Sequence, residues 1–600
     1  MLEQLIILKL ILLTFSFIGI TWEINRKLKL NECNILFFVM CSIVCILFLG
    51  GIFDLLSPTS WIIFVGGLIL GIKNLYTKQK FSRRLGISIG YILGFGILLT
   101  VIRHNIMLTH YDNFSHWALI VKEMLLNNQF PNSTGVVTFT SYPPGSALFI
   151  YYICRFIGES EWIMVMAQNI FILSAVATIL NFNHNESKLK STILLILSVV
   201  ILTLIPDHFN QLLVDTLLGV SGLATTMTIL QNRFNVEKVI GYIVPMQATL
   251  LLIKNSGVFF FIINIVLVSY LLFRRPKGKT RVNSMKKSRA VQILVLLLPL
   301  VVNLAWSEHV KEAFPNQDVQ ASKHAMSAKN YLSNFSAKSA EFREAIFPMV
   351  MKESYNLEIF NVMLFIGVTM ALIVLMIIIY FKQKSYNRVL ISTLLGSQII
   401  YFIYAICNYF MYMFSMPEGE AIKLAGFSRY QATIIIYLIG LMGYAIVQSI
   451  NFNKGNNDAK IYSIYISICS IFLVGAIYHN RDVILKTPNI EMRKELQDEL
   501  SIVKSLNLQG DKILYYSDQK NNSSGYIYYM MKYELLSRNI QILNTLENEP
   551  DIAELLNQYS YVVIGDCGEE SELEFKEVVK NDQIIGTYKI NEVDDPIRIE

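Results

Sequence analysis

Long unbroken runs of apolar residues restrict the fold of this chain more than any other feature of its sequence. Hydrophobic residues occupy 54% of the 600 positions and charged residues only 16%, whereas charged residues make up about 25% of an ordinary soluble domain. Many of the runs reach roughly 18 to 20 residues, the length of a helix that crosses a bilayer. The sequence therefore predicts a polytopic helical membrane protein. It excludes a soluble enzyme, a disordered chain, a coiled coil and a disulfide scaffold.

Fourteen of the runs predict membrane spans. They lie near residues 4–21, 34–54, 60–76, 85–103, 161–181, 190–206, 211–231, 238–253, 255–273, 290–306, 358–381, 387–410, 428–449 and 460–478. A further apolar stretch, 146–157, has only about twelve residues, too few for a hydrocarbon core of roughly 30 Å. We therefore predict that Pro143 to Gly158 forms a re-entrant or interfacial helix.

The orientation of the chain follows from the positions of lysine and arginine. These residues cluster in four short segments between the runs, 26–29, 78–84, 274–289 and 382–388. Because such clusters mark cytoplasmic loops, we predict a multi-pass protein of the cell membrane with its N-terminus outside. The segments 104–160, 307–357 and 411–427 are then extracytoplasmic too. Basic residues confined to short loops do not form a nucleic-acid-binding surface, so no nucleic-acid partner is predicted.

The charge and the pattern of apolar residues change at about residue 485. The stretch 485–600 contains 12 Lys+Arg and 22 Asp+Glu, so this tail is acidic while the rest of the chain is basic. Four strand-like segments alternate there with helical ones, at 512–517, 539–544, 559–566 and 584–590. This pattern predicts a small α/β domain with a mostly parallel sheet. The predicted organisation is a multi-spanning membrane domain, 1–484, followed by an extracytoplasmic accessory domain, 485–600.

The first external segment contains an acidic motif, Tyr111 to Trp117. Asp112 precedes an amphipathic stretch whose apolar residues recur at helical spacing, and we expect this helix to lie along the membrane surface with Trp117 at the interface. Two interpretations of Asp112 stay open. It caps the helix by accepting hydrogen bonds from first-turn amides, or it acts as a general base for a hydroxyl acceptor. His116 in the same motif is a candidate substrate-binding residue.

A proline pair follows about thirty residues later, in Ser141-Tyr142-Pro143-Pro144-Gly145. Taken alone, the pair predicts a rigid turn that opens the next helix. An acidic motif in the first large external loop, followed at this distance by a Pro-Pro turn, resembles the GT-C superfamily of membrane glycosyltransferases. That superfamily includes the protein O-mannosyltransferases and bacterial aminoarabinose transferases. The resemblance covers the layout of residues 80–275 and these short motifs.

The resemblance implies both a fold and a chemistry. It implies a GT-C-like helical bundle, with Asp112 as the catalytic residue and with Tyr142, Pro143 and Pro144 at the substrate. It also implies a sugar donor carried on a polyprenyl phosphate at the outer leaflet. This chain has Asp112-Asn113 where the superfamily commonly has two acidic residues, and one carboxylate alone is a poor site for Mg²⁺ or Mn²⁺. A divalent metal at Asp112 is thus weakly supported, and we predict no cofactor and no metal site.

Charges inside or beside the apolar runs are further candidates for substrate binding. Asp215 stands in an apolar run, where a charge costs about 2.5 to 3.5 kcal/mol near mid-span, so it faces the bundle interior or reaches the outer interface. The pair Lys254-Asn255 interrupts another run. It forms a tight outer turn, or Lys254 neutralises a lipid phosphate or pairs with Asp215. The pair Arg429-Tyr430 opens a late span, where the arginine anchors the helix at the membrane rim or holds a phosphate.

These residues together predict an integral membrane glycosyltransferase. It would move a sugar from a polyprenyl-phosphate carrier to a hydroxyl of a cell-surface polymer, a glycolipid or a protein on the outer face. Its partners would be the lipid-linked donor, membrane lipids and the surface glycan or protein acceptor. Two alternatives stay open. A transporter or flippase of a lipid-linked glycan often shows two similar halves, which this sequence lacks. A non-catalytic cell-envelope assembly protein with a degenerate site is compatible with Asn113.

Overall fold

The chain folds into two compact units in the computed structural model. The first unit is Met1–Ile106, Asn127–Phe130 and Phe139–Lys486, and the second is Met107–Leu126, Pro131–Thr138 and Thr487–Glu600. The structure describes residues 2–28, 31–78, 80–180, 188–233, 236–273, 291–315, 328–449, 467, 470–506, 510–520, 525–545, 552–579, 585–590 and 597–598.

Helices make up most of the described residues, and we number them in chain order. They are α1 (Leu2–Leu28), α2 (Glu32–Ile52), α3 (Leu56–Tyr76), α4 (Arg83–Ile102), α5 (Ala118–Asn127), α6 (Gly145–Ile157), α7 (Glu161–Val176), α8 (Lys188–Thr203), α9 (Asp215–Gln231), α10 (Val236–Ile253), α11 (Gly257–Phe273), α12 (Leu300–Ala313), α13 (Ala328–Ser336), α14 (Ala340–Ser354), α15 (Phe360–Gln383), α16 (Arg388–Phe414), α17 (Glu418–Ala421), α18 (Phe427–Ser449), α19 (Ser470–His479), α20 (Arg481–Leu485), α21 (Ile490–Glu499), α22 (Ser501–Ser505), α23 (Tyr526–Leu535), α24 (Ile552–Leu556) and α25 (Glu569–Val579).

Each of the fourteen predicted spans coincides with a helix in the described part of the chain. Nine apolar helices there have the length and composition needed to cross a membrane, and α8, α9, α10, α11 and α19 are shorter. The chain is therefore a multi-pass helical membrane protein, and this prediction is confirmed. The basic segment 274–289 lies outside the described residues, as does most of the predicted span 460–478 before α19.

The short apolar stretch after the proline pair forms α6, which lies inside the first unit. Twelve of its thirteen residues are buried, and it packs against α1, α2, α7 and α10. An interfacial helix keeps one polar face in water, whereas α6 is covered on all sides. Protein thus covers α6, and its position as a re-entrant or interfacial helix stays a prediction.

The spans differ in how much of their surface other helices cover. The membrane span that contains α7 is 94% buried, whereas the span of α1 is only 28% buried. The side chains that remain exposed on the outer helices are large and apolar, among them Ile62 and Ile69 on α3 and Val101 on α4. Apolar surface of this extent is typical of helices that face lipid. Helix α7 is therefore central in the bundle, and α1, α3 and α4 are peripheral.

Helices α1 and α3 pack at close range through small residues. A Cβ atom on Gly19 of α1 would stand 2.2 Å from the carbonyl oxygen of Gly67 on α3. The Ser16 hydroxyl of α1 donates a hydrogen bond of 2.8 Å to the Phe64 carbonyl. Gly67 and Gly71 have the small-xxx-small spacing that lets membrane helices bring their backbones together, so this contact requires glycine at these positions.

The second unit contains a five-stranded sheet of order β2-β1-β3-β4-β5. Its strands are β1 (Ile513–Tyr516), β2 (Ile540–Leu543), β3 (Tyr561–Ile564), β4 (Gly586–Lys589) and β5 (Ile597–Arg598). The pairs β1–β2 and β1–β3 are parallel, whereas β3–β4 and β4–β5 are antiparallel. The predicted α/β tail is confirmed, but the prediction of a mostly parallel sheet is wrong because half of the pairings are antiparallel.

The register of the sheet explains its core. Leu514 of β1 lies beside Val562 of β3, which in turn lies beside Tyr588 of β4. All three side chains point to one face, because residues in register share a face. There they form a buried cluster with Phe575 of α25.

The second unit also takes in residues 107–126 and 131–138 of the first external segment. Asn113–Trp117 forms a single π-helical turn that continues into α5. We expected this stretch to lie along the membrane surface with Trp117 at the interface. In the structure Phe114 is fully buried and Trp117 is only 5% exposed. The ring of Phe114 lies 5.8 Å from that of Tyr526 and 5.3 Å from that of Tyr533. Protein therefore covers Phe114, and the position of this helix at the membrane surface stays a prediction.

Candidate functional site

Three charged side chains meet in the first unit where α9 begins. Asp215 is the first residue of α9, and its side chain is 5% exposed. Lys254 Nζ donates to Asp215 Oδ1 at 2.8 Å, and Arg429 Nη1 lies 3.9 Å from Asp215 Oδ2. The structure thus brings together three candidates that are far apart in sequence, in a group with two positive charges and one negative charge.

Chain geometry explains why each of the three side chains can reach the others. Lys254 occupies the corner between α10, which ends at Ile253, and α11, which begins at Gly257. Arg429 lies in the first turn of α18. Helix α9 packs against both α10 and α18, so the corner and the two helix starts lie at one end of the unit. A buried charge is tolerated only when it is paired, and here Asp215 pairs with both Lys254 and Arg429.

An aromatic ring stabilises the two cations. Lys254 Nζ lies 4.7 Å from the centroid of the Tyr430 ring, and the Arg429 guanidinium carbon lies 6.0 Å from it. The hydroxyl of Tyr404 on α16 donates to the Tyr430 carbonyl at 3.0 Å. The face of an aromatic ring attracts a cation, so Tyr430 helps to hold both positive charges close together. Tyr404 was not among the sequence candidates, because one tyrosine in an apolar span carries no signal.

The proline pair lies beside the Lys254 corner. Asn255 Nδ2 donates to the carbonyl of Ser141, two residues before Pro143, at 3.4 Å. Pro144 is the N-cap residue of α6, and its carbonyl accepts the first helical hydrogen bond from Leu148 at 2.8 Å. Tyr142 lies at the edge of the same turn, with its ring tilted against that of Phe139 at a centroid distance of 6.2 Å. The proline pair therefore forms the rigid turn that its sequence predicts.

Replacing Gly145 by alanine should destabilise the protein by about 1 to 3 kcal/mol, the cost of overpacking. A Cβ at this position would stand 2.6 Å from the backbone carbonyl carbon and oxygen of Leu252, so one of the two segments must move. The melting temperature in detergent measures the effect. Gly241→Ala in α10 is the control, because no atom lies within 4 Å of its added Cβ. Equal melting temperatures for the two variants would contradict the close contact.

Asp112 and His116 belong to the second unit, so they are described apart from the Asp215 group. Asp112 occupies the cap position of the π-helical turn, yet its side chain makes no capping hydrogen bond. Its backbone N–H donates to His110 Nδ1 at 3.1 Å, and its side chain is 20% exposed. The capping interpretation of Asp112 therefore loses its main support, and the general-base interpretation stays a prediction.

His116 is held tightly within its own segment. It is 6% exposed, its Nδ1 lies 2.7 Å from the Ser115 hydroxyl, and its ring lies 4.5 Å from the Trp117 ring. These contacts fix the ring's orientation. A role of His116 in substrate binding remains a prediction.

Residues of the tail pack against Phe114, which belongs to the same motif. The Arg493 guanidinium lies 4.9 Å from the Phe114 ring centroid and 5.6 Å from that of Tyr533. Arg493 is fully buried and pairs with the carboxylate of Glu534. Lys122 of α5 donates to the carbonyl of Tyr533 at 2.6 Å. The helices of the tail and the segment around Asp112 therefore form one packed unit.

Acid should destabilise the second unit through Glu534. Burial raises the pKa of this carboxyl, but the charges of Arg493, Lys122 and Lys504 outweigh burial and bring the pKa to about 2, below its ordinary value of 4.5. The ion pairs thus contribute fully above pH 4.5, and their contribution of about 3 kcal/mol is lost as the pH falls toward 2. Urea unfolding followed by pepsin pulse proteolysis measures this loss. Glu534→Gln should flatten the pH dependence in that window, and an unchanged dependence would contradict the assignment.

The described residues offer little to a metal ion. No three His, Cys, Asp or Glu side chains in that part of the chain lie close enough together to hold one. Of the histidines in the loop 307–357, His309 packs between the rings of Trp306 and Phe130. His324 lies outside the described residues.

Two solved structures are similar to this chain over most of its length. Both are of ArnT from Cupriavidus metallidurans, an aminoarabinose transferase of the GT-C superfamily. The structure bound to undecaprenyl phosphate is 14% identical, covers 82% of this chain and 91% of its own, and has a TM-score of 0.45. The apo structure is 11% identical, covers 83% and 96%, and has a TM-score of 0.37. No family model and no curated protein matches the chain. The likeness is one of chain layout, and the function must be inferred from the chain's own residues.

Proposed function

We propose that this protein is an integral membrane glycosyltransferase. It takes a sugar from a polyprenyl-phosphate carrier and transfers it to a hydroxyl of a cell-surface polymer, a glycolipid or a protein. The observation that carries the proposal is the group at Asp215, where the cations of Lys254 and Arg429 converge on one carboxylate. Two cations held close together at the end of a membrane bundle suit a lipid phosphate.

The proposed reaction is a displacement at the anomeric carbon of the sugar. The acceptor oxygen forms the new glycosidic bond, while the bond from the anomeric carbon to the phosphate oxygen breaks. The electron pair of that bond leaves with the lipid phosphate, and the proton of the acceptor hydroxyl passes to Asp112. Lys254 and Arg429 stabilise the charge that develops on the departing phosphate.

Asp215 has a separate role in this proposal. A buried charge is tolerated only when it is paired, and Lys254 Nζ donates to Asp215 Oδ1 at 2.8 Å. The same contact fixes the ammonium group in the corner between α10 and α11. Asp215 is therefore a positioning residue for Lys254.

Arg429→Ala should raise the KM for the lipid-linked donor by roughly 10- to 100-fold. A hydrogen bond to a charged group contributes about 1.5 to 3 kcal/mol, and each 1.4 kcal/mol is a factor of ten. Transfer of labelled sugar from membrane lipid to an acceptor measures this effect, with donor concentration as the variable. Lys423→Ala is the control, since it removes an exposed cation from the neighbouring loop. A donor KM that is the same in both variants would exclude Arg429 from phosphate binding.

A further inference from the structure

Three buried tyrosines lie on one face of α16. They are Tyr401, Tyr404 and Tyr412. Positions three and eleven residues apart share a face of an α-helix, since eleven residues make about three turns. Helix α16 packs against α18. The hydroxyl of a buried tyrosine usually has a hydrogen-bond partner, and each of these three hydroxyls donates to a backbone carbonyl.

Two of the hydroxyls hold the segment that carries Arg429. Tyr412 donates to the Ala425 carbonyl at 2.8 Å, and Tyr404 donates to the Tyr430 carbonyl at 3.0 Å. Arg429 lies between the two accepting residues. A carbonyl oxygen has two lone pairs, so that of Tyr430 can accept this bond beside its helical one. The chain is therefore tied to α16 on both sides of Arg429.

The third tyrosine joins α16 and α18 to the end of α14. The Tyr401 hydroxyl donates to the carbonyl of Ser354, the last residue of α14. Gln431 of α18 donates through Nε2 to the same carbonyl at 2.8 Å and to the Tyr401 hydroxyl at 2.6 Å. Three helices thus share one hydrogen-bonded group close to Arg429 in the chain. This group holds α18 in place from a second direction.

Tyr404 also contacts the helix that follows the Lys254 corner. Its ring lies 4.9 Å, edge to face, from that of Phe259, which is in the first turn of α11. The ring of Tyr404 therefore packs on the side of the group that carries Lys254. Its hydroxyl binds the backbone on the side that carries Arg429. Tyr404 thus links the two segments that supply the cations.

We propose that Tyr404 is a positioning residue for the binding of the donor phosphate. The proposal rests on the proposed function, because it takes Arg429 to bind that phosphate. The Tyr404 hydroxyl fixes the first turn of α18, and this turn sets where the Arg429 guanidinium lies relative to Lys254. Tyr404 acts through Arg429 and has no part in the chemical step. A group that is already held in its binding position loses less freedom when the ligand binds, so the affinity for the donor is higher.

Tyr404→Phe tests the proposal, because it removes the hydroxyl and keeps the ring that packs against Phe259. We expect the KM for the lipid-linked donor to rise by roughly 2- to 10-fold, as for one lost neutral hydrogen bond. The KM for the acceptor should not change. Tyr409→Phe is the matched control, since Tyr409 lies on the same helix and its hydroxyl bonds to no described residue. A donor KM equal to that of the wild type in Tyr404→Phe would overturn the proposal.

A double variant separates positioning from a general structural role. If Tyr404 acts through Arg429, then Arg429→Ala/Tyr404→Phe should have the same donor KM as Arg429→Ala alone. A further rise in the double variant would show that Tyr404 acts by another route. A general loosening of the bundle would lower the melting temperature of Tyr404→Phe and raise the KM for both substrates, and that result would also contradict positioning.

The single variant Arg429→Ala separates this proposal from the one on which it rests. A wild-type donor KM in Arg429→Ala would exclude phosphate binding by Arg429 and, with it, the role of Tyr404. A raised donor KM in Arg429→Ala beside an unchanged donor KM in Tyr404→Phe would overturn the role of Tyr404 alone.

Discussion

Replacing Asp112 by asparagine should lower the rate of sugar transfer by roughly 10²- to 10⁴-fold, which is the usual contribution of a general base. The melting temperature of the variant should stay at the wild-type value. Asparagine keeps the size of the side chain and caps a helix about as well as aspartate does. The carboxylate makes no capping hydrogen bond in any case, so the substitution costs the helix no cap.

The experiment measures labelled sugar transfer beside thermal stability in the same detergent. Asp498→Asn is the matched control, because Asp498 is an exposed aspartate of the same unit, on α21. It should leave both quantities unchanged. Wild-type transfer by Asp112→Asn would remove this residue from the mechanism, while the phosphate-binding proposal would still be tested by Arg429→Ala.

The helical bundle could be predicted because the bilayer leaves few choices. A chain in lipid must satisfy its backbone hydrogen bonds within each span. Every long apolar run therefore becomes a helix, whichever other spans pack against it. The same cost argument made Asp215 a candidate, since a charge in an apolar run needs a partner. Which residues pair with Asp215 depends on how the helices pack, and the sequence does not fix that packing. Two partners of Lys254 were open from the sequence, a lipid phosphate and Asp215, and the structure places its Nζ 2.8 Å from Asp215.

The surroundings of Asp112 could not be predicted for a related reason. Arg493 lies in a strongly charged stretch of the tail, and the local sequence pattern predicts an exposed helix there. In the structure Arg493 is fully buried against Phe114. The two residues are almost four hundred positions apart, so no periodicity connects them. The direction of β4 was missed as well, because an alternation of helices and strands does not fix whether the last strands pair parallel or antiparallel.

Arg493→Met should destabilise the second unit by about 3 to 5 kcal/mol, because it leaves the carboxylate of Glu534 buried without its main partner. Lys504 Nζ remains 2.5 Å from Glu534, so we expect the lower end of this range. The double variant Arg493→Met/Glu534→Leu should recover most of the loss, since apolar pairs of similar volume replace buried ion pairs at little cost. Urea unfolding of the full-length protein, followed by pulse proteolysis, gives the free energies.

Hydrogen exchange adds a local readout to this series. Phe114 follows Asp112 by two residues and packs directly beneath the Arg493 guanidinium, so Arg493→Met should speed exchange across residues 107–126. Lys520→Met breaks the pair between Lys520 and Glu499, 2.6 Å apart in the same unit, but touches neither Phe114 nor Tyr533. It should therefore leave exchange in that segment unchanged. If both variants sped exchange there equally, the effect would be general loosening of the unit, and Arg493 would have no specific part in holding the segment that carries Asp112.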